Sequence, residues 1–364
     1  MNTVAMTPPD ATALEGTLAA VTAGAAIRDA APEPSFPEDA FVALEAAGAL
    51  TYNAVLGTAR PAAAEELGLV RRVAQADGSV GRIFDGHLNA VERIAVQGPP
   101  ALAERELEAV RAGELRAGVW GGDPAPGEGE RATVLTKDNG EVLRGVKTFC
   151  SGAGGLQRAL VLARSPAGGP PVSVWIDLTD ARVEVDPSWY RSHGLRASVS
   201  HRVVFHDVPL LAILGRPGSI AAQPWFARDA LRTAASWAGM ADAAVGGALG
   251  ELTGRVERGP LESLAAGRIL TSHRTISVWL DAAGRAMDAD SADLPAIALH
   301  ARAAIAQACR SLLDEAARAC GSRPFARGGT LDRARRDLEV FLLQHRLDPL
   351  LARAGEAALG QRRI

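Results

Sequence analysis

Cysteine is scarce: the chain has three, Cys150, Cys309 and Cys320, among 364 residues. So small and odd a number argues against a disulfide framework and indicates a reducing compartment, the cytoplasm. No apolar run reaches the ~18 residues of a membrane span, and the N-terminus lacks a basic-then-apolar signal pattern. Excess charge of one sign is missing too, with 39 Lys and Arg against 42 Asp and Glu. That balance leaves no electrostatic footprint for nucleic acid or an anionic membrane as the main partner. Neither a dinucleotide-binding glycine fingerprint nor a P-loop is present, so nicotinamide and nucleoside triphosphate sites are not implied. Metal-ligand spacing is absent among the histidines, and no metal is expected.

What is present reads as a well-buried globular chain, 48% hydrophobic and 22% charged. Its length fits two or three domains at roughly 100–200 residues each. Residues 1–113 carry helical periodicity. Ser35 and Pro37 suit a helix start, Phe41, Leu44 and Ala47 follow at helical spacing, and Gly48 can stop the helix. A second helix is predicted over 79–95, with Val80, Ile83, Phe84, Val91 and Ile94 on one stripe. His87 shares that stripe and points inward. From 114 to 215 the texture turns β-like. Asn139-Gly140 between two short apolar runs predicts a hairpin, because both residues tolerate positive φ. Further strands are expected at 159–163, 172–178, 182–185 and 202–205, an interval pattern that suits a barrel or sandwich. From 216 to 364 long helices return, over about 226–258, 261–287, 294–320 and 330–348, with Pro349 ending the last. The fold class is α+β: an N-terminal helical domain, a middle β domain and a C-terminal helical bundle.

Four stretches in this order resemble the acyl-CoA dehydrogenase superfamily. They are Phe36-Pro37-Glu38 through Gly48; Gly145-Val146-Lys147-Thr148-Phe149-Cys150-Ser151-Gly152; Gly194-Leu195-Arg196-Ala197-Ser198 with Val204 to Pro209; and Arg335-Arg336-Asp337. The resemblance implies a flavin, FAD or else FMN, beside the second stretch. Phe149 would offer the ring an apolar face, Ser151 a hydroxyl, and Cys150 lies between them. It also implies that Arg255, in Arg255-Val256-Glu257-Arg258-Gly259, reaches a cofactor phosphate across a subunit boundary, so a homodimer or homotetramer is expected.

One departure from the family bears on the reaction. Counted from Arg336-Asp337, the last-helix position at which dehydrogenases keep a glutamate base holds His345. Glu339 is too early, and Glu251 and Glu257 sit in no pattern that marks a base. Asp77-Gly78-Ser79 with His87, and His345 with Asp348-Pro349, are similar to a branch of reduced-flavin monooxygenases of the dibenzothiophene type. An imidazole there can give or take a proton near neutral pH. A histidine on an apolar stripe, however, is more often a core residue than a catalyst.

The candidate catalytic residues are therefore His345, His87 and Ser151, and the cofactor-binding set is Phe149, Cys150, Ser151 and Arg255. Three functions remain open. The first is a flavin oxidoreductase of the acyl-CoA dehydrogenase type, with a small-molecule substrate such as an acyl-CoA thioester. The second is a monooxygenase supplied by a separate flavin reductase, and the third a non-catalytic flavin-binding or assembly protein.

Overall fold

The structure, a computed structural model, describes residues 10–255, 259–344 and 347–360. Five helices come first: α1 (Ala11–Ala30), α2 (Glu38–Ala46), α3 (Ala63–Ala76), α4 (Gly78–Gln97) and α5 (Pro100–Arg111). Asp77 separates α3 from α4 in an extended conformation, and its Oδ1 accepts the N–H groups of Ser79 and Val80 at 2.9 and 3.2 Å. That cap satisfies two of the donors that a helix start leaves unpaired. Every residue of α4 from Gly78 to Ala95 except Arg82 is buried, charged ones included. A helix enclosed on all sides is a central strut of the molecule. Pro37, expected in the first turn of α2, instead stands just before it, and Ser35 makes no cap bond.

The seven strands are β1 (Ala117–Trp120), β2 (Thr133–Lys137), β3 (Gly140–Cys150), β4 (Arg158–Ala163), β5 (Val172–Asp177), β6 (Val183–Asp186) and β7 (His201–Leu214). They order β1-β4-β5-β7-β3-β2, with β6 on β7, and all pairs but β1–β4 are antiparallel. The sheet curls back on itself: Val134 of β2 donates to Arg164 O at 2.9 Å, and Arg164 N donates to Ala132 O at 2.8 Å. The expected hairpin is the β2–β3 turn, where Lys137 pairs with Gly140. β7 runs nine residues beyond the expected strand end at 205, through Pro209, because a bulge at Asp207 (φ 59°) bends it. Before the bend its outer partner is β6, and after it β5. Pro209 could not have served a flat central strand, but beside a bulge it is tolerated.

The C-terminal helices are α6 (Trp225–Thr253), α7 (Pro260–Asp288), α8 (Leu294–Cys320), α9 (Arg323–Arg327), α10 (Thr330–Leu343) and α11 (Asp348–Gly360). The helix expected over about 330–348 ends early, and a further helix follows it. α10 ends at Leu343, and Pro349 stands in the first turn of α11, where its missing N–H costs nothing. A proline after a helix thus marked a second start rather than the end. One hydrophobic core draws on all three stretches of the chain, with Phe84, Phe205, Trp237 and Phe341 fully buried in it. No helix among the described residues is long and apolar enough to cross a membrane.

A buried ion cluster locks α3, α4 and α6 together. Arg232 of α6 reaches Glu66 of α3 at 2.7 Å and Glu92 of α4 at 2.8 Å, and Arg228 reaches the same two carboxylates at 2.7 and 2.8 Å. Arg60 adds a third cation to Glu92 at 2.9 Å. Burial would raise the Glu92 carboxyl, but Arg232, Arg228 and Arg60 outweigh it and hold the group well below the usual carboxylate range.

Candidate active site

A cavity of about 710 Å³ opens between the sheet and the helices that follow and precede it. Its sheet wall includes Phe149, Ser151, Ser200 and the backbone of Gly121 and Gly122, and its helical wall Arg82, Asp229, Arg302 and Phe341. Size and mixed lining are those of a small-molecule site.

The Gly-x-Lys-x-aromatic-x-Ser stretch builds the sheet wall. Gly145 has φ 116°, and a Cβ there would lie 2.7 Å from Arg131 O, so only glycine lets β3 pass that close. Lys147 is buried, and its Nζ donates to Asp123 Oδ1 at 2.8 Å and Gly121 O at 3.2 Å, holding the glycine loop that follows β1. Phe149 then takes a left-handed conformation, φ 54°, which an aromatic residue adopts only where its surroundings enforce it. The ring is left 49% exposed, braced edge-on by Trp189 at 4.9 Å. Ser151 Oγ lies 2.8 Å from Ser200 Oγ, itself 2.8 Å from Ser198 Oγ, a file of three hydroxyls of which the first two line the cavity.

Three of the other expected site residues stand elsewhere or are otherwise engaged. Cys150 alternates inward from its neighbours and is wholly enclosed in the core, where burial pushes its thiol far up; its side chain does not line the cavity. His87 does not reach the cavity either. Its Nδ1 accepts the N–H of Ala117 at 3.2 Å, and its Nε2 lies 2.9 Å from Leu50 O. An acceptor at Nδ1 and a carbonyl at Nε2 require the neutral ring with its proton on Nε2. Burial, with the Arg116 cation adding to it, pulls its pKa down to about 4 against the bond to Leu50 O. His87 ties the N-terminal helices to β1. Arg255, at the turn from α6 to α7, is held by Glu262 at 3.0 Å and Ala319 O at 2.6 Å, away from the cavity. His345 lies outside the described residues; of its described neighbours in sequence, Gln344 lines the cavity and Leu347 is buried.

The remaining motifs act as fasteners. A Cβ on Gly194 would sit 2.0 Å from Arg336 O, so glycine is what lets this loop touch α10. Asp337 then accepts the N–H of Leu195 at 2.6 Å, placing Leu195 in the cavity wall. Burial raises the Asp337 carboxyl to about 7; the Leu195 N–H opposes this, and Asp77 and Asp29 add to it. Arg336 pairs with Asp29 of α1 at 2.7 Å.

Two lining residues carried no sequence signal. Asp229 of α6 accepts from Arg93 Nε at 3.0 Å, and burial raises it to about 6 against the Arg93 and Arg232 cations. Arg302 of α8 is 6% exposed. On a helix each reads as one charge of a solvated face, and only the packing turns them inward.

No profile of a known protein family matches the chain. Part of it is similar to dibenzothiophene monooxygenases: 30% identity over 167 residues to that of Mycolicibacterium goodii, covering 42% of this chain and 39% of the relative. A second, from Rhodococcus erythropolis, is 31% identical over 165 residues, again 42% of this chain and 38% of the relative. The aligned stretch thus spans about two fifths of these relatives' own length. Solved structures match nearly end to end. TdsC from Paenibacillus sp. A11-2, in complex with FMN and indole, superposes with TM-score 0.80 at 20% identity, over 97% of this chain and 98% of that one. The nitrososynthase of Micromonospora carbonacea var. africana gives 0.81 at 22% identity, over 95% of each chain. The four motifs each find a place in the structure, and the chain shares the fold of TdsC and of the nitrososynthase along nearly its whole length.

Proposed function

We propose that the protein is a flavin-dependent monooxygenase that takes its flavin already reduced by a separate reductase. The observation that carries this reading is the composition of the cavity walls. Phe149 and Ser151 stand together on the sheet wall, and the one carboxylate among the described residues lining the cavity, Asp229, is tied to Arg93 rather than free to act as a base. α-Proton abstraction from an acyl-CoA thioester, the main expectation from the superfamily, would need such a base. The partial similarity to dibenzothiophene monooxygenases and the FMN in TdsC support the same choice and favour FMN over FAD.

The sheet wall fits a flavin: the constrained ring of Phe149 supplies a face, and the Ser151 and Ser200 hydroxyls, backed by Ser198, can donate to a polar ring edge. Bound in its reduced form, flavin would supply the two electrons with which O₂ is split, one oxygen atom entering the substrate and the other leaving as water. The chain's own residues do the rest. Val119, Leu162, Phe226 and Phe341 exclude water from the cavity. His345, at the position where the resemblance sets the family's base, is the residue we assign to proton transfer. A homo-oligomer completes the assembly, with Arg255 at its boundary.

The test supplies purified protein with FMN, an NADH-driven flavin reductase and ¹⁸O₂, with dibenzothiophene and indole as trial substrates. Protein-dependent ¹⁸O incorporation is expected, lowered about 10²–10⁴-fold in His345→Ala if the imidazole is the acid or base. Desaturation of an acyl-CoA by oxidised flavin would overturn the reading in favour of a dehydrogenase. Failure to quench FMN or FAD fluorescence would leave only the non-catalytic role.

A further inference from the structure

The ionic partners of the cavity's charged residues leave one positive charge uncancelled. Arg82 is paired with Asp85 at 2.6 Å. Asp229 is paired with Arg93. Arg302 has no such partner among the described residues: its Nε and Nη2 are enclosed and make no hydrogen bond, and its guanidinium carbon lies over the Trp237 ring, 5.4 Å from the centroid. Burial lowers its pKa to about 10, which still leaves the guanidinium charged at neutral pH. A buried cation without an anion is a costly arrangement, since among the described residues the indole face alone offsets the desolvation of the charge.

We infer that Arg302 is the substrate-recognition residue of this cavity, and that the substrate is a small organic oxyanion, with a carboxylate-type group against the guanidinium and an apolar body filling the rest. A guanidinium N–H donates a charge-assisted hydrogen bond to an oxyanion, and Nη1 is the Arg302 nitrogen that is not among the enclosed, unpartnered atoms. The surrounding side chains suit the body of such a molecule: Val340, Phe341 and Leu162 line the same cavity. The contact with Trp237 and the burial of Arg302 limit the side chain's freedom before any ligand arrives. The assignment rests on the proposed function in one respect, that flavin occupies the Phe149 and Ser151 wall and so leaves the Arg302 wall to the substrate.

The experiment uses two isosteric pairs, benzoate with benzamide and indole-3-carboxylate with indole-3-carboxamide. Each is titrated calorimetrically into flavin-free and FMN-loaded protein. Wild-type protein is expected to bind at least one carboxylate roughly tenfold or more tightly than its amide. Arg302→Gln should abolish that preference while leaving the affinity for the amides and for FMN unchanged, and Arg302→Lys should restore part of it. Equal affinity within both pairs, no carboxylate binding to the wild type, or a preference that survives Arg302→Gln would overturn the assignment. So would a variant that loses FMN affinity instead, because Arg302 would then serve the cofactor phosphate. The wild-type preference is itself decisive should a variant fail to fold. If flavin does not bind at all, the proposed function fails, while the carboxylate preference of flavin-free protein still decides this assignment.

Discussion

Replacing His87 by glutamine separates a structural imidazole from a catalytic one. Glutamine can still donate an N–H to Leu50 O, the bond His87 makes at 2.9 Å, but it cannot be protonated. At pH 7.5 the variant should be less stable by about 1–3 kcal/mol, because Ala117 N–H loses its buried acceptor. The pH dependence is the sharper readout. The folded pKa of about 4 lies below the unfolded value of roughly 6.5, so the stability this histidine contributes is complete above 6.5 and drains away as pH falls towards 4. The whole gap corresponds to about 3 kcal/mol, of which about 2 kcal/mol is lost by pH 5. Urea denaturation followed by tryptophan fluorescence, at pH 7.5 and at pH 5, should therefore find the difference between wild type and His87→Gln narrowing by about 2 kcal/mol. Every other titrating group cancels in that difference. A difference that stays constant across the two pH values would refute the neutral-ring assignment. So would a variant as stable as wild type at both pH values but devoid of oxygenation.

Three other outcomes follow from the site. Asp337→Asn keeps an oxygen for Leu195 N–H and removes a carboxyl whose pKa is raised to about 7. A raised acid destabilises as pH climbs from about 4 through 7, so denaturant midpoints should show the variant gaining about 2–3 kcal/mol relative to wild type between pH 5 and pH 8. Ser151→Ala should weaken FMN binding by about 0.5–1.5 kcal/mol in a fluorescence titration, the net worth of one hydrogen bond. Gly194→Ala forces the loop off α10, since its Cβ would meet Arg336 O at 2.0 Å, and differential scanning calorimetry should find a loss of about 1–3 kcal/mol.

Much of the architecture is legible in the sequence because its signals are local. Helical periodicity over 79–95 became α4, the helix expected over 294–320 matches α8 end to end, and Asn139-Gly140 marks the β2–β3 turn. Errors arose where one residue serves two elements. Pro349 can end a helix or begin one, and Pro209 with its bulge lets β7 continue where a strand end was expected. At the site, Phe149 and Ser151 were legible through the motif around them, whereas the alternation of a strand sends Cys150 into the core. His87 follows its stripe inward, as periodicity requires, but periodicity cannot distinguish an interior cavity from an interior hydrogen bond. Asp229 and Arg302 were hidden for the opposite reason. A charge on a helix signals solvent until a second helix closes over it, and that closure is a tertiary fact.

The ion cluster among Glu66, Glu92, Arg228 and Arg232 also bears on how such a protein can change over generations. These charges cancel only as a set, and removing one partner strands the others in a dry interior at a cost of about 3–5 kcal/mol. The frame made by α3, α4 and α6 is therefore closed to stepwise drift at these positions, because single changes there pass through a barely folded intermediate. Val340 and Leu343 of α10, lining the cavity from outside that cluster, carry no such linkage. The cavity lining can change one substitution at a time on that helix while the ionic frame keeps α3, α4 and α6 in register.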